Sequence, residues 1–158
     1  MIVRTGLGQD SHRFEAKPGK PLLLAGVLFN GETGLEGNSD ADLVYHALAN
    51  AVSGVTGHNV IGAVSDAMCA AGVKDSAEYV RAALKSLGKL KICHVSVSVE
   101  GRHPKMAPQI GAMRENIGRL LGLDVHSVAF TSTTGEDLTS FGRGEGLQAL
   151  VLVTAVEA

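Results

Sequence analysis

Two acid–imidazole pairs stand out in the sequence. Asp10 and His12 lie two residues apart in GLGQDSHRF, and Asp42 and His46 lie four apart in SDADLVYHAL. Residues two apart on an extended chain point the same way, and residues four apart share one face of a helix. If such a helix packs beside the end of the strand, Asp10, His12 and His46 converge as one carboxylate and two imidazoles. That set, with a fourth position free, is a catalytic zinc pattern, and a substrate oxygen entering the free position is polarised there. Spacing alone leaves the alternative open, because a helical histidine is commonly a packed or solvated residue and short motifs match by chance. His58, His94, His103 and His126 fall in turns or on polar faces and read as structural or solvated.

A second cluster, TSTTGEDLTSFGRGEG, runs from Thr131 to Gly146. Turn amides and threonine hydroxyls can cradle phosphate oxygens, and Glu136 can hold a magnesium ion that bridges them. The competing reading is a polar hairpin rich in turn formers. In GRHPKM, Lys105 stands near a helix start, where free amides favour an anion. A solvated lysine is the other outcome.

The chain that must position these residues has 158 of them, a net charge of −2, 45% hydrophobic and 4% aromatic residues. It is long enough for one real core, built from aliphatic side chains. The charge argues against a broad basic nucleic-acid surface. No apolar run approaches the ~20 residues that span a bilayer, and the amino terminus lacks a signal-peptide pattern. Cys69 and Cys93 form no CxxC and read as two buried thiols, with one disulfide as the alternative.

Strand-like and helix-like segments interleave, which predicts an α+β fold as a single domain over residues 1–158. Met1 to Gly8 reads as a strand ending at Gln9-Asp10, and Pro21 to Val27 as a short strand before the turn-rich NGETGLEGN. A helix follows Asn38-Ser39-Asp40, with Ser39 and Asp42 as a capping-box-like pair. Its apolar face is Leu43, Val44, Ala47, Leu48, Ala51 and Val52, and Gly54 or Gly57 ends it. A second helix is expected from Asp75-Ser76 to Gly88, after a loop AVSDAMCAAGVKDS. Residues 91–100 alternate, with Cys93, Val95, Val97 and Val99 on one face. A third helix follows Pro104, its regular part starting near Pro108. HSVAFTSTT and GEGLQALVLVTAV complete the strands. The order β-β-α-α-β-α-β-β implies a mixed sheet with the helices on one face.

Taken in register, GQDSH, SDADLVYHAL, PKM, TTGEDL and GRGEG resemble the 2-C-methyl-D-erythritol 2,4-cyclodiphosphate synthases over nearly the whole chain. The resemblance implies a cytoplasmic homotrimer with its sheets around the three-fold axis and active sites between subunits. It implies zinc, or another divalent transition metal, on Asp10, His12 and His46. Glu136 would help hold a second ion, magnesium or manganese. Lys105, Met106, Ser132, Thr133 and Thr134 would hold the cytidine and phosphates of a CDP-linked substrate from the adjacent subunit. Thr134, Asp66 and Lys105 are the implied catalytic residues, and Asn38, Ser39, Val60, Ile61, Gly62 and Arg143 are further implied substrate contacts. Arg143 and Glu145 would lie near the trimer axis, where a tunnel in some members accepts isoprenoid diphosphates.

The implied reaction belongs to the non-mevalonate isoprenoid route. The 2-phosphate of the substrate attacks the β-phosphate of its own CDP group, and CMP leaves. Three departures mark this chain. Asn38 stands where many members have histidine, Val60 replaces the acid of Asp-Ile-Gly, and the loop lacks FPDTDP, keeping Asp66 as counterpart. They leave two further readings: the same scaffold acting on another CDP-polyol, or a non-catalytic trimer that binds metal or isoprenoid diphosphate.

Overall fold

Period-two alternation organises the main sheet of the computed structural model, which describes residues 1–157. The sheet holds β1 (Ile2–Arg13), β4 (Lys91–Glu100), β5 (Val128–Thr133) and β6 (Gly146–Glu157) in the order β1-β6-β4-β5. The β1–β6 and β6–β4 pairs are antiparallel and β4–β5 is parallel, so the sheet is mixed as expected. Paired positions Gly8, Val151, Val97 and Phe130 cross it on the buried face. On the other face Leu7, Leu152, Leu150 and Ser98 remain exposed. Each strand therefore presents an apolar side to the helices and a mixed side to the outside.

Between β1 and β4 lie the hairpin β2 (Pro21–Leu24) and β3 (Val27–Thr33), then α1 (Leu43–Thr56), α2 (Ala63–Ala70) and α3 (Ser76–Leu84). A 3₁₀ turn at Ala107–Gln109 leads into α4 (Ile110–Leu121), before β5. Leu43, Val44, Ala47, Leu48, Ala51 and Val52 of α1 are all fully buried, so the apolar face read from the sequence is the face that packs. Burying each Leu or Val of this kind stabilises by roughly 1.5–3 kcal/mol. α1 lies directly on β1. A Cβ added at Gly8 would sit 1.9 Å from the Ala47 carbonyl oxygen, and one at Gly6 would sit 2.1 Å from that of Ala51. Only glycine lets the two backbones come this close.

Several expectations need correcting. β1 does not stop at Gln9-Asp10, because β6 pairs with it through Asp10–Ala149 and His12–Leu147 to Arg13–Gly146. The short strand from Pro21 breaks at Ala25-Gly26, whose φ values of 48° and 71° make the hairpin turn, and part of the supposed turn region is β3. The cap of α1 is Asp42, whose carboxylate accepts from the Tyr45 amide, rather than Ser39. Asp42 therefore precedes the helix and does not share a helical face with His46. Instead its carboxylate also accepts from the amides of Ala25 and Gly26 at 2.8 and 2.6 Å, tying the hairpin turn to the start of α1.

The loop before Asp75 contains α2. Its alanines favour a helix, but it buries only Ser65 and so has no apolar stripe to announce it. α3 ends at Leu84, short of Gly88. In β4 the register slips between Ile92 and His94, which leaves Cys93 exposed and starts the buried alternation at Val95. Cys69 is half-buried, and both thiols are free.

Candidate active site

The close fit of α1 on β1 sets the site. Asp10 and His12 lie on the helix-covered side of β1, two residues apart, and His46 projects from the first turn of α1 towards them. The Asp10 carboxylate oxygen Oδ2 lies 2.9 Å from His12 Nε2 and 3.1 Å from His46 Nδ1, and the two nitrogens are 3.4 Å apart. Among the described residues this is the group of three acidic, imidazole or thiol side chains whose donor atoms come within reach of one ion.

The far sides of both rings fix which nitrogens face inward. His12 Nδ1 lies 2.7 Å from the Glu36 carbonyl oxygen, which can only accept, so Nδ1 carries the proton and Nε2 offers a lone pair. His46 Nε2 lies 2.9 Å from the Ser76 hydroxyl, and that hydroxyl donates in turn to the Asp40 carboxylate. Ser76 Oγ thus accepts from His46 Nε2–H, and His46 Nδ1 faces Asp10 with its lone pair. The Ser76 amide donates to the same carboxylate at 3.1 Å, and Ser76 is fully buried. With both rings neutral, one carboxylate oxygen and two ring lone pairs converge as an ion requires; without an ion, a proton on a ring nitrogen bridges to Asp10 instead. Oriented outer partners of this kind accompany metal-bound histidines, and the donor set suits a divalent ion such as zinc.

The charges of the metal-free site follow. Burial pushes the Asp10 carboxyl up, but hydrogen bonds and charge from His12 and His46 outweigh it and hold it at about 2. The hydrogen bond to Asp10 raises His12, against burial. Asp42 is pushed up to about 7 by complete burial, against the three amides that favour its charged form.

A cavity of about 310 Å³ opens beside the triad. Asn38, Ser39, Ile61, Gly62 and Asp66 line it, as expected of substrate contacts, while Val60 is buried and does not. Asp66 stands on the first turn of α2. Ser65, Cys69 and Tyr79 also line this cleft and were not singled out by the sequence, nor were Asp40 and Ser76. Asp40 and Ser76 did carry a signal, but as capping types at helix starts they read as caps.

The remaining expected residues lie elsewhere. Ser132 and Thr133 end β5, at the opposite edge of the sheet from β1 with β6 and β4 between them. Three strand spacings amount to about 14 Å. Thr134 and Glu136 follow in a tight turn, where the Thr134 hydroxyl accepts from the Glu136 amide and Glu136 has a φ of 48°. The Glu136 carboxylate is not among the groups that meet at the triad. Lys105 is exposed and Met106 buried at the start of the 3₁₀ turn, and Arg143 pairs with Glu145 at 3.5 Å. The expected residues thus fall into two groups, one around the triad and one that includes the end of β5 at the far sheet edge.

A model of the YgbB family matches residues 3–156. The chain belongs to that family. A Chlamydia muridarum relative named 2-C-methyl-D-erythritol 2,4-cyclodiphosphate synthase is 45% identical over 99% of this chain and 89% of its own. The bifunctional IspDF of Campylobacter jejuni superposes with a TM-score of 0.88 at 30% identity, covering 98% of this chain and 42% of that larger one. A solved 2C-methyl-D-erythritol-2,4-cyclodiphosphate synthase in a CDP-bound form gives 0.81 at 27% identity, over 97% of this chain and all of the other. The YgbB-family fold therefore accounts for the mixed sheet and the helices laid on one face.

Proposed function

We propose that the chain converts 4-diphosphocytidyl-2-C-methyl-D-erythritol 2-phosphate to 2-C-methyl-D-erythritol 2,4-cyclodiphosphate and CMP, in the cytoplasm, within non-mevalonate isoprenoid synthesis. The observation that carries this reading is the Asp10–His12–His46 group, with both outer ring nitrogens committed and a cleft beside it. When bound there, zinc or a similar divalent ion supplies Lewis-acid polarisation of the substrate diphosphate. Ser39 and Asn38 line the cleft next to the triad and supply polar groups for phosphate oxygens. A second ion, magnesium or manganese, is assigned to Glu136 together with the substrate phosphates.

An oxygen of the substrate's 2-phosphate forms the new bond to the β-phosphorus, and the bond from that phosphorus to the CMP oxygen breaks. Transfers of this type depend on alignment and charge neutralisation more than on a strong base. Lys105, Ser132, Thr133 and Thr134 are assigned to the CDP end, Lys105 neutralising charge and the hydroxyls donating to phosphate. Ser132 and Thr133 lie three strands from the triad of their own chain, and we assign their group to the triad of a neighbouring copy, in a homotrimer. The exposed sheet face with Leu7, Leu150 and Leu152 supports an axis there, and the Arg143–Glu145 pair is assigned to its end, where an isoprenoid diphosphate is the candidate tunnel ligand.

The test is CMP release by the purified protein with zinc, magnesium and the CDP-methylerythritol 2-phosphate substrate. CMP and cyclodiphosphate appearing in equal amounts is the expected result, and no CMP from zinc-loaded protein overturns the assignment. One observation favours a second reading, a changed polyol. Val60 offers no hydrogen bond and is buried, so the polar groups at that end of the cleft are those of Ser65 and Asp66. Faster CMP release from a different CDP-polyol would select that reading.

A further inference from the structure

A second cavity is larger than the cleft beside the triad. It has a volume of about 950 Å³ and opens behind the Gly37–Asp40 loop, between the β2–β3 hairpin, the start of α3 and α4. Leu23 and Leu120 supply apolar wall. Lys20, Lys74, Arg81 and Arg119 stand around it. Lys74 and Arg119 have no carboxylate partner among the described residues, and Arg119 donates only to the Asn116 side chain at 3.0 Å. Arg81 is paired with Glu78, which lies outside the cavity lining.

The acids of the same wall are already occupied. Asp42 accepts from the amides of Ala25, Gly26 and Tyr45, Asp75 from that of Ala77, and Asp40 from Ser76. Tyr45 adds a polar handle. It is only 6% exposed and lines the cavity, and its hydroxyl makes no hydrogen bond among the described residues and opens into that space. A phenol placed in this way offers a hydrogen bond to whatever fills the cavity.

We propose that this cavity is a second binding site, for a small phosphorylated organic molecule, distinct from the site of phosphoryl transfer. The guanidinium of Arg119 and the ammonium of Lys74 meet the phosphoryl group, because charge-assisted bonds to phosphate are the strong ones. The Tyr45 hydroxyl and the apolar wall meet the organic body. A pocket of this size holds such a molecule with room to spare. The site also touches the metal cleft, since Asn38 and Ser39 line both cavities. Lys20 Nζ holds that shared loop by donating to the carbonyls of Gly37 and Ser39 at 2.5 and 3.2 Å. A ligand that draws Lys20 towards it therefore acts on the loop that faces the substrate.

The chain has two tyrosines, which makes the test direct. Protein loaded with zinc and labelled with 3-fluorotyrosine has one fluorine in the cavity, at Tyr45, and one at Tyr79, whose ring centre is 5.8 Å from that of His46. Tyr45→Phe assigns the two resonances. Titration with glycerol 3-phosphate is expected to move the Tyr45 resonance saturably, and more tightly than inorganic phosphate does. The double variant Lys74→Ala/Arg119→Ala should weaken that binding by at least about tenfold, or 1.4 kcal/mol. No movement of Tyr45 with either probe overturns the proposal. So does movement confined to Tyr79, equal binding of inorganic phosphate, or unchanged affinity in the double variant. None of these readouts depends on turnover, so failure here leaves the proposed reaction standing.

Discussion

His46 presents Nδ1 to Asp10 because Ser76 takes the proton of the other ring nitrogen, and Ser76 is held in turn by Asp40. Ser76→Ala removes that hold without touching a ligand atom. Loss of such an outer partner typically costs 10- to 100-fold in metal affinity, while the two lost hydrogen bonds, to His46 and Asp40, cost about 2 kcal/mol of stability. Zinc titration should show the first effect and thermal unfolding the second. His46→Ala should lose the ion and keep its far-UV circular dichroism. Zinc retained in that variant would make His46 a packing residue.

The metal-free protein should also show Asp10 in its acid limb. Its folded pKa of about 2 lies below the ordinary 3.8. The unfolded chain therefore binds more protons between those values, and stability falls as the pH falls through them. The contribution present above pH 3.8 is about 2 kcal/mol, lost as the pH approaches 2. Urea denaturation across this range should show the loss, and Asp10→Asn should flatten it. His12 has the opposite sign. Its raised pKa adds stability below 6.5 that disappears as the pH rises through the folded value.

At the scale of elements, the site depends on the contact between α1 and β1. Gly8→Ala places a methyl 1.9 Å from the Ala47 carbonyl oxygen, a position no rotamer can relieve. α1 must then move away from the strand, at a cost of about 3 kcal/mol. Thermal unfolding and zinc content should fall together, and a native melting temperature would show that the helix is not held as described. The strand that carries Asp10 and His12 was legible only as far as Gln9-Asp10, because its outer end is held by pairing with β6, whereas β4 was legible because period two is a strong signal. The face of α1 was legible for the same reason at helical period. α2 was not, because it lies on the surface and buries only Ser65. The Asp40–Ser76–His46 chain was hidden because Asp and Ser at helix starts also serve as caps, and sequence spacing does not say which bond a cap residue makes. Cys93 was misread as buried because the register slip in β4 depends on the partner strand.

At the scale of the whole molecule, one chain displays an exposed sheet face, with the triad at β1 and the proposed CDP-binding residues of β5 three strands away. Leu152 is 43% exposed at the centre of that face, opposite Leu7 on β1 and Ser96 on β4. Leu152→Asp puts a charge where three copies are proposed to meet, and burying an unpaired charge is prohibitive. Sedimentation should show monomers that still bind zinc but release no CMP, whereas an intact trimer would move the interface elsewhere. The most direct test joins the two groups of residues across chains. His46→Ala and Lys105→Ala should each be inactive alone, one lacking the triad and the other the CDP-binding lysine. Co-expressed as mixed oligomers, they should regain CMP release, because some sites then combine an intact triad from one copy with an intact Lys105 from its neighbour. Mixed oligomers verified by mass spectrometry that remain as silent as their parents would contradict a site shared between subunits.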